Sequence, residues 1–359
     1  MIRYILNKLF YSFLTLIGVV TIVFLLFTVF PGDPARMMLD QKEDPEQLEL
    51  IRKNLGLDQP MWKQYFYYLN DLSPVSLHAR SGDAYTSLNS GKYTGIQLLS
   101  IGNSIMMLKY PFLRISFQKQ GKPVSDIIRE TLPNTIVLAV SAIVFAFVIG
   151  VILGIWSALV KDSWIDRTLL VLTSMGMSIP SFFSAIIIAY IFAFLLHQYT
   201  GLNMTGSLYE IDDMGNGKHL ALKNLILPAL TLGIRPLAVI TQLTRNSLLE
   251  VMSQDYIRTA FAKGLQAKNV IRKHALKNAL NPVITATSGW FASMLAGAVF
   301  VEFIFNWNGL GKEIVNALNT LDLPVITGAV LVIATTFILI NIFVDITYGF
   351  LDPKVRTQS

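Results

Sequence analysis

An all-α integral membrane protein is the fold class this sequence predicts: six transmembrane helices, both termini in the cytoplasm and a long extracytoplasmic loop after the first span. Three observations carry that expectation. Of the 359 residues, 53% are hydrophobic and only 14% charged, with a mean hydropathy of +0.53, whereas soluble domains carry about 25% charge. Six stretches run 19 residues or more with no charge or a single one, enough for a helix to cross a hydrocarbon core of about 30 Å. Basic residues in the short connections are also unequally shared. Arg3 and Lys8, Lys161 and Arg167, seven Lys or Arg within 245–282, and Lys354 and Arg356 fall on one side, against Lys218, Lys223 and Lys312 on the other; the positive-inside rule makes the first side cytoplasmic.

The first span is 9–30. It is too long for the apolar region of a secretory signal, and it runs into Pro31, Gly32, Asp33 and Pro34, a turn cluster that stops a helix. Residues 31–130 form the extracytoplasmic region. A second span covers 132–160, with Pro133 placed in a first turn that tolerates a missing N–H. A short turn at 161–167 leads to a third span, 169–196, interrupted by Gly176 and Pro180, whose freed backbone groups need neighbouring helices. His197 at its end reads as a solvated interfacial side chain.

After a polar loop at 198–222 comes the fourth span, 225–243, with Arg235 as its single charge, at the eleventh of nineteen positions. A cation at that depth costs about 2.5–3.5 kcal/mol, so Arg235 should meet Asp345, Glu302, a partner subunit or a watery translocation path. The fifth span, 283–305, carries Gly289, Ser293 and Gly297 at four-residue spacing, which reads as a helix-packing face. The sixth is 325–351.

Between spans four and five lies a polar, basic island, 255–282. Residues 256–263 favour helix, Gly264 is free to take positive φ, and 268–280 resume helix until Pro282. On the second helix Ile271, Ala275 and Ala279 form one row and Lys273 and Lys277 another on roughly the opposite side.

Arg258-Thr259-Ala260-Phe261-Ala262-Lys263-Gly264-Leu265, followed by His274-Ala275-Leu276-Lys277-Asn278-Ala279-Leu280-Asn281-Pro282, resembles the cytoplasmic coupling loop of ATP-binding-cassette importer permeases of the oligopeptide/dipeptide/nickel type. Two further blocks agree in order: Asn54-Leu55-Gly56-Leu57-Asp58-Gln59-Pro60 after the first span, and Glu302 through Gly311 after the fifth. About 73–111 has no counterpart in the family pattern and reads as an added surface excursion. The resemblance thus implies an N-terminal span (1–30), a loop region with this insertion (31–130), a core permease domain (131–351) and a cytoplasmic tail (352–359).

It further implies that Arg258, Thr259, Ala260, Lys263, Gly264, Leu265, His274, Ala275, Leu276, Asn278 and Pro282 form the ATPase-coupling loop. The implied partners are a second homologous permease, two cytoplasmic ATP-binding subunits and an extracytoplasmic solute-binding protein, with membrane lipid around the spans and no nucleic acid. The implied function is transport of di- or oligopeptides, or of nickel or another small solute in the same architecture.

The chain's own residues agree with a transport role and offer little chemistry. No phosphate-loop pattern G-x-x-x-x-G-K-[ST] occurs, nor H-E-x-x-H, nor G-x-S-x-G, so neither a resident ATPase nor a hydrolase is expected. The absence of cysteine excludes disulfides and thiolate sites, and no cofactor or metal is expected. An ion-coupled transporter keeps ionisable groups at mid-membrane, and the first three spans have none. An ion-coupled secondary transporter and a membrane-anchored structural or assembly protein stay as alternatives.

Overall fold

The computed structural model describes residues 2–29, 35, 45–80, 85–88, 92–119, 121–211 and 217–351. The turn cluster at 31–34 and the tail at 352–359 lie outside them. Two compact units divide the chain: Met1–Leu9, Thr131–Lys312 and Thr336–Ser359 form one, and Phe10–Glu130 with Glu313–Thr335 the other.

The chain is mostly helical, and five short strands among the described residues qualify the all-α expectation. In the second unit, helix α1 (Ile2–Val29) contributes from Phe10 onward, followed by α2 (Pro45–Leu55) and α3 (Met61–Leu72). The stretch 73–111 contains an antiparallel sheet of β1 (Val75–Ala79), β2 (Gly95–Ile101) and β3 (Ser104–Lys109), in the order β1-β3-β2. Alternation sets its faces: Ser76 and His78 of β1 and Ile105, Met107 and Lys109 of β3 point inward, while Val75, Leu77 and Leu108 are exposed.

A polar network ties this sheet to α3. Buried Asp71 accepts hydrogen bonds from the hydroxyls of Tyr85 (2.7 Å) and Tyr93 (2.9 Å), the Arg114 guanidinium lies 3.6 Å away, and Lys109 donates to the Asp71 carbonyl. The His78 ring stacks obliquely on Tyr93 at 4.3 Å and shares a 2.8 Å hydrogen bond with Ser76. Burial lowers the pKa of His78, with the Thr86 carbonyl pulling the other way. At the start of α14 (Leu323–Leu351), buried Asp322 accepts from the hydroxyl of Ser116 and the amides of Phe117 (3.1 Å) and Gln118 (3.3 Å).

The first unit takes most of α4 (Val124–Leu159), then α5 (Trp164–Ser178), α6 (Ser181–Ile188) with a π-helical continuation Ala189–Leu195, and α7 (His197–Thr200). A hairpin of β4 (Tyr209–Ile211) and β5 (Lys218–Leu220) precedes α8 (Lys223–Met252). Beyond it come α9 (Asp255–Ala262), α10 (Ala267–Val270), a π-helical turn Ile271–Ala275, α11 (Leu276–Gly297) and α12 (Val299–Ile304); α13 (Leu310–Asn319) begins at the unit's end. Its core gathers Leu138, Ala142, Leu227, Leu232, Leu295 and Trp307.

Several expectations are corrected. The second helix starts at Val124, because Pro123 immediately precedes it and accepts from the amides of Asp126 and Ile127; Pro133 therefore sits inside the helix. The carbonyl it leaves without a donor belongs to Arg129, an exposed residue. Likewise the helix beyond the basic island continues through Pro282 to Gly297. The small residues expected to pack are open: a Cβ at Gly289 or Gly297 would meet nothing within 4 Å. Close packing occurs at Gly154 of α4, where a Cβ would lie 2.6 Å from the Thr241 carbonyl of α8.

Among the described residues four helices are long and apolar enough to cross a membrane: Leu6–Leu26, Val124–Leu159, Lys223–Met252 and Leu323–Val344. A fifth candidate is the pair Trp164–Ser178 and Ser181–Leu195, bent by 111° at the break that Pro180 imposes. The expected fifth span at 283–305 is not one of these. Its helix breaks at Ala298, and Thr285, Thr287, Ser288 and Ser293 dilute its apolar character.

Candidate functional site

The basic island forms a helix, a sharp reversal and a second helix. Helix α9 ends in a Schellman cap: Gly264 at φ +79° donates to the Phe261 carbonyl (2.9 Å) and Leu265 to the Ala260 carbonyl (3.3 Å). An L-residue with a Cβ is disfavoured at that φ, so glycine fits the position the reversal demands. The Asn278 amide of α11 donates to the Tyr256 hydroxyl of α9 at 2.8 Å and closes the two arms on each other.

One side of this loop is anchored. Ile257 and Ala260 of α9, Val270 of α10, Ala275, and Ala279 of α11 are buried against Leu248 of α8 and Ala158 of α4. The second arm's buried row is Val270, Ala275, Ala279 and Val283, spaced five, four and four. The π-helical turn Ile271–Ala275 supplies the five-residue step and puts Val270 in the place expected for Ile271. Lys273 and Lys277 are exposed, as the spacing suggested.

The structure therefore splits the eleven expected loop residues. Arg258, Thr259, Lys263, Gly264, Leu265, His274, Asn278 and Pro282 are exposed, Ala260 and Ala275 are buried, and Leu276 is intermediate. The sequence did not single out the anchors Ile257 and Val270, nor Phe261 (41% exposed), which forms an exposed apolar pair with the expected Leu265 (40%) beside the reversal. The signal for Phe261 was an aromatic in the middle of a basic segment.

A second feature was missed. At the start of α5, Asp166 is buried and accepts from Arg245 of α8 through both oxygens, Nε to Oδ1 at 2.7 Å and Nη2 to Oδ2 at 2.6 Å. Its carboxylate also accepts from the Ser157 hydroxyl of α4 and the Asp162 amide (3.0 Å), and the Ser163 side chain caps the Asp166 amide (3.2 Å). This bidentate pair joins α4, α5 and α8 seven residues before α8 ends at Met252 and gives way to the loop.

Arg235 projects from α8 as an exposed side chain, with no hydrogen bond or ion pair among the described residues. Glu302 is not its partner: that carboxylate is fully buried and accepts from the amides of Gly311 (2.7 Å) and Lys312 (3.1 Å) in the first turn of α13. The side chain of Asp345 lies outside the described residues. Nearby, the Trp307 indole donates to the Asn134 carbonyl (3.1 Å) and the Leu310 amide to the Thr135 hydroxyl (2.8 Å), so the segment after α12 is a folded element of the core. His197 is exposed and its Nδ1 meets the Leu202 carbonyl at 2.9 Å.

Known proteins are similar to this chain over most of its length. The family model described as binding-protein-dependent transport system inner membrane component matches residues 150–357, and one for the N-terminal region of such membrane components matches 1–84. A dipeptide transport system permease protein of Alkalihalophilus pseudofirmus is 35% identical over 369 aligned positions, covering 99% of this chain and all of that one. A glutathione transport system permease protein of Salmonella choleraesuis is 32% identical over 99% of both chains. A chain of the MetNI methionine ABC transporter in an inward-facing conformation superposes with a TM-score of 0.50 at 17% identity, covering 65% of this chain and 100% of that one; the two share a fold. With its long apolar helices, this chain is a multi-pass protein of the inner membrane, and it belongs to the family of binding-protein-dependent transport system inner membrane components.

Proposed function

We propose that this chain is the peptide-conducting permease of an ATP-driven importer, working beside a second homologous permease, two cytoplasmic ATP-binding subunits and an extracytoplasmic solute-binding protein. The observation that carries the reading is similarity over 99% of this chain to a permease named for dipeptide transport. In this reading the exposed face of the 255–282 loop docks on an ATPase, and its buried row passes the ATPase's movement to α4, α8 and α11. The chain supplies a path and a lever, and hydrolysis belongs to the ATP-binding subunits. Loss of this chain should abolish cellular uptake of a radiolabelled dipeptide and leave nickel uptake unchanged; loss of nickel uptake alone would contradict the peptide assignment.

Six spans with both termini cytoplasmic are part of the same reading, as is the division into a first span, an extracytoplasmic region and a core permease domain. The basic-residue asymmetry supports it. The chain lacks cysteine, so introduced thiols report cleanly. A cysteine replacing exposed Gln47 is expected to react with an impermeant maleimide in intact cells, and one replacing exposed Gln266 only after permeabilisation. The opposite pattern overturns the topology.

An exposed arginine partway along an apolar helix needs a polar counterpart. With Glu302 engaged elsewhere, Asp345, a partner subunit and the path are the counterparts left to Arg235, and in this reading it faces the path, where it would attract a peptide's C-terminal carboxylate. Arg235→Gln is then expected to reduce uptake of peptides with a free C-terminus about tenfold or more, matching a charge-assisted hydrogen bond of ~1.5–3 kcal/mol, and to spare C-terminally amidated ones. Equal losses for both, or failed assembly, would assign Arg235 to a structural pair.

A further inference from the structure

Helix α3 is amphipathic in an unusual way. At 100° per residue Met61, Trp62, Tyr65, Phe66, Tyr68, Leu69 and Leu72 fall within one arc about 160° wide, and Lys63, Gln64, Asn70 and Asp71 occupy the rest together with Tyr67, whose ring stacks on Tyr85 at 5.1 Å. Part of that arc is packed on α1. The Tyr65 hydroxyl meets the Thr21 hydroxyl at 2.6 Å, the Phe24 ring lies against Tyr65 (5.1 Å) and Tyr68 (5.7 Å), and Leu69 and Leu72 join Val20 in one apolar cluster. The remainder is bare: Trp62 is 61% exposed and Phe66 60%, and their rings meet edge to face at 6.3 Å.

We propose that α3 lies in the outer membrane–water interface, with Trp62 and Phe66 inserted among the lipids that surround α1. Depth is the first reason. Thr21 and Phe24 lie nine and six residues before the uncharged stretch ends at position 30, which places the α1–α3 contact about 9–14 Å along the helix from that end. The shallower part of that range meets the ~5–10 Å burial of an interfacial helix. Continuity is the second reason. The bare pair borders the arc that packs on α1, and α1 exposes Ile22, Leu25 and Leu26 in the same stretch, so the two helices offer one apolar surface to the acyl chains. Trp62 has the ring chemistry of the interface, and the Lys63 ammonium sits 5.6 Å from its centroid, where it can rise to the headgroups. The polar side of α3 faces the protein through Asp71 and through Asn70, whose amide exchanges two hydrogen bonds with the Leu77 backbone of β1 (2.8 and 3.0 Å).

The test uses the assembled transporter in lipid bilayers. A spin label on Phe66→Cys should collide with oxygen more often, relative to a water-soluble nickel chelate, than a label on Gln47→Cys of α2. A ratio at Phe66 equal to or below that at Gln47 places the helix in water, and low collision rates with both reagents mean that a protein covers it; either result overturns the proposal. Trp62→Phe keeps an aromatic and gives a second reading. Lipids brominated near the top of the acyl chain should quench a component of the wild-type tryptophan fluorescence that is missing in Trp62→Phe, and equal quenching of the two proteins overturns the proposal as well.

Discussion

Gly264→Val is expected to lower uptake roughly tenfold or more while the transporter still assembles in the membrane. The Schellman cap holds Gly264 at φ +79°, where a β-branched residue is strained by about 1–3 kcal/mol. Nothing lies within 4 Å of a Cβ built there, so the penalty is conformational and not a clash. The relaxed loop would swing Phe261 and Leu265 away from the position in which α9 now holds them, and their anchors Ile257 and Ala260 would remain seated. Gly264→Asn separates the causes, because Asn tolerates the left-handed region and should retain most of the uptake. Wild-type uptake in Gly264→Val at normal expression would show that the reversal plays no part in coupling.

Arg245→Ala should cost the most in stability. It leaves Asp166 buried with an uncompensated charge, a loss of about 3–5 kcal/mol, which is a hundredfold or more in the folded population at ~1.4 kcal/mol per tenfold. The yield of monodisperse protein in detergent and its melting temperature should both fall sharply. Arg245→Lys keeps the charge and loses the two-pronged contact, so it should fall between the two. A melting temperature unchanged in Arg245→Ala would mean that water compensates Asp166 and that α4, α5 and α8 are held by apolar packing alone.

The parts of this molecule that could be read in its sequence are those where a period or a φ requirement is written locally. The apolar runs announced α1, α4, α8 and α14, and Gly264 announced its cap because few residues other than glycine fit there. The extent of α4 was missed because Pro123 and Pro133 are both plausible starts, and the choice rests on tertiary packing of Val124, Ile127 and Ile128. The sheet in 73–111 was missed because its strands are short and separated by polar turns, although Val75-Ser76-Leu77-His78-Ala79 does alternate. Ile271 was placed in the buried row by a regular 3.6 period, which a π-helical turn interrupts.

The clearest gap concerns charges whose partners are distant in sequence. Asp166 and Arg245 are 79 positions apart, and Asp71 gathers Tyr85, Tyr93 and Arg114 from three segments. Neither grouping leaves a mark in spacing. For Arg235, by contrast, sequence alone pointed to a residue needing a counterpart, and the structure has narrowed where that counterpart can be by occupying Glu302.

In the proposed function this chain conducts peptide under the drive of ATP hydrolysed by other subunits. The most direct test is uptake of a labelled dipeptide into proteoliposomes holding this chain with its partner permease, the ATP-binding subunits and the solute-binding protein. The account predicts uptake that requires ATP, stops with vanadate and is indifferent to proton or sodium gradients. Uptake by this chain without the ATP-binding subunits, driven by an imposed ion gradient, would contradict it.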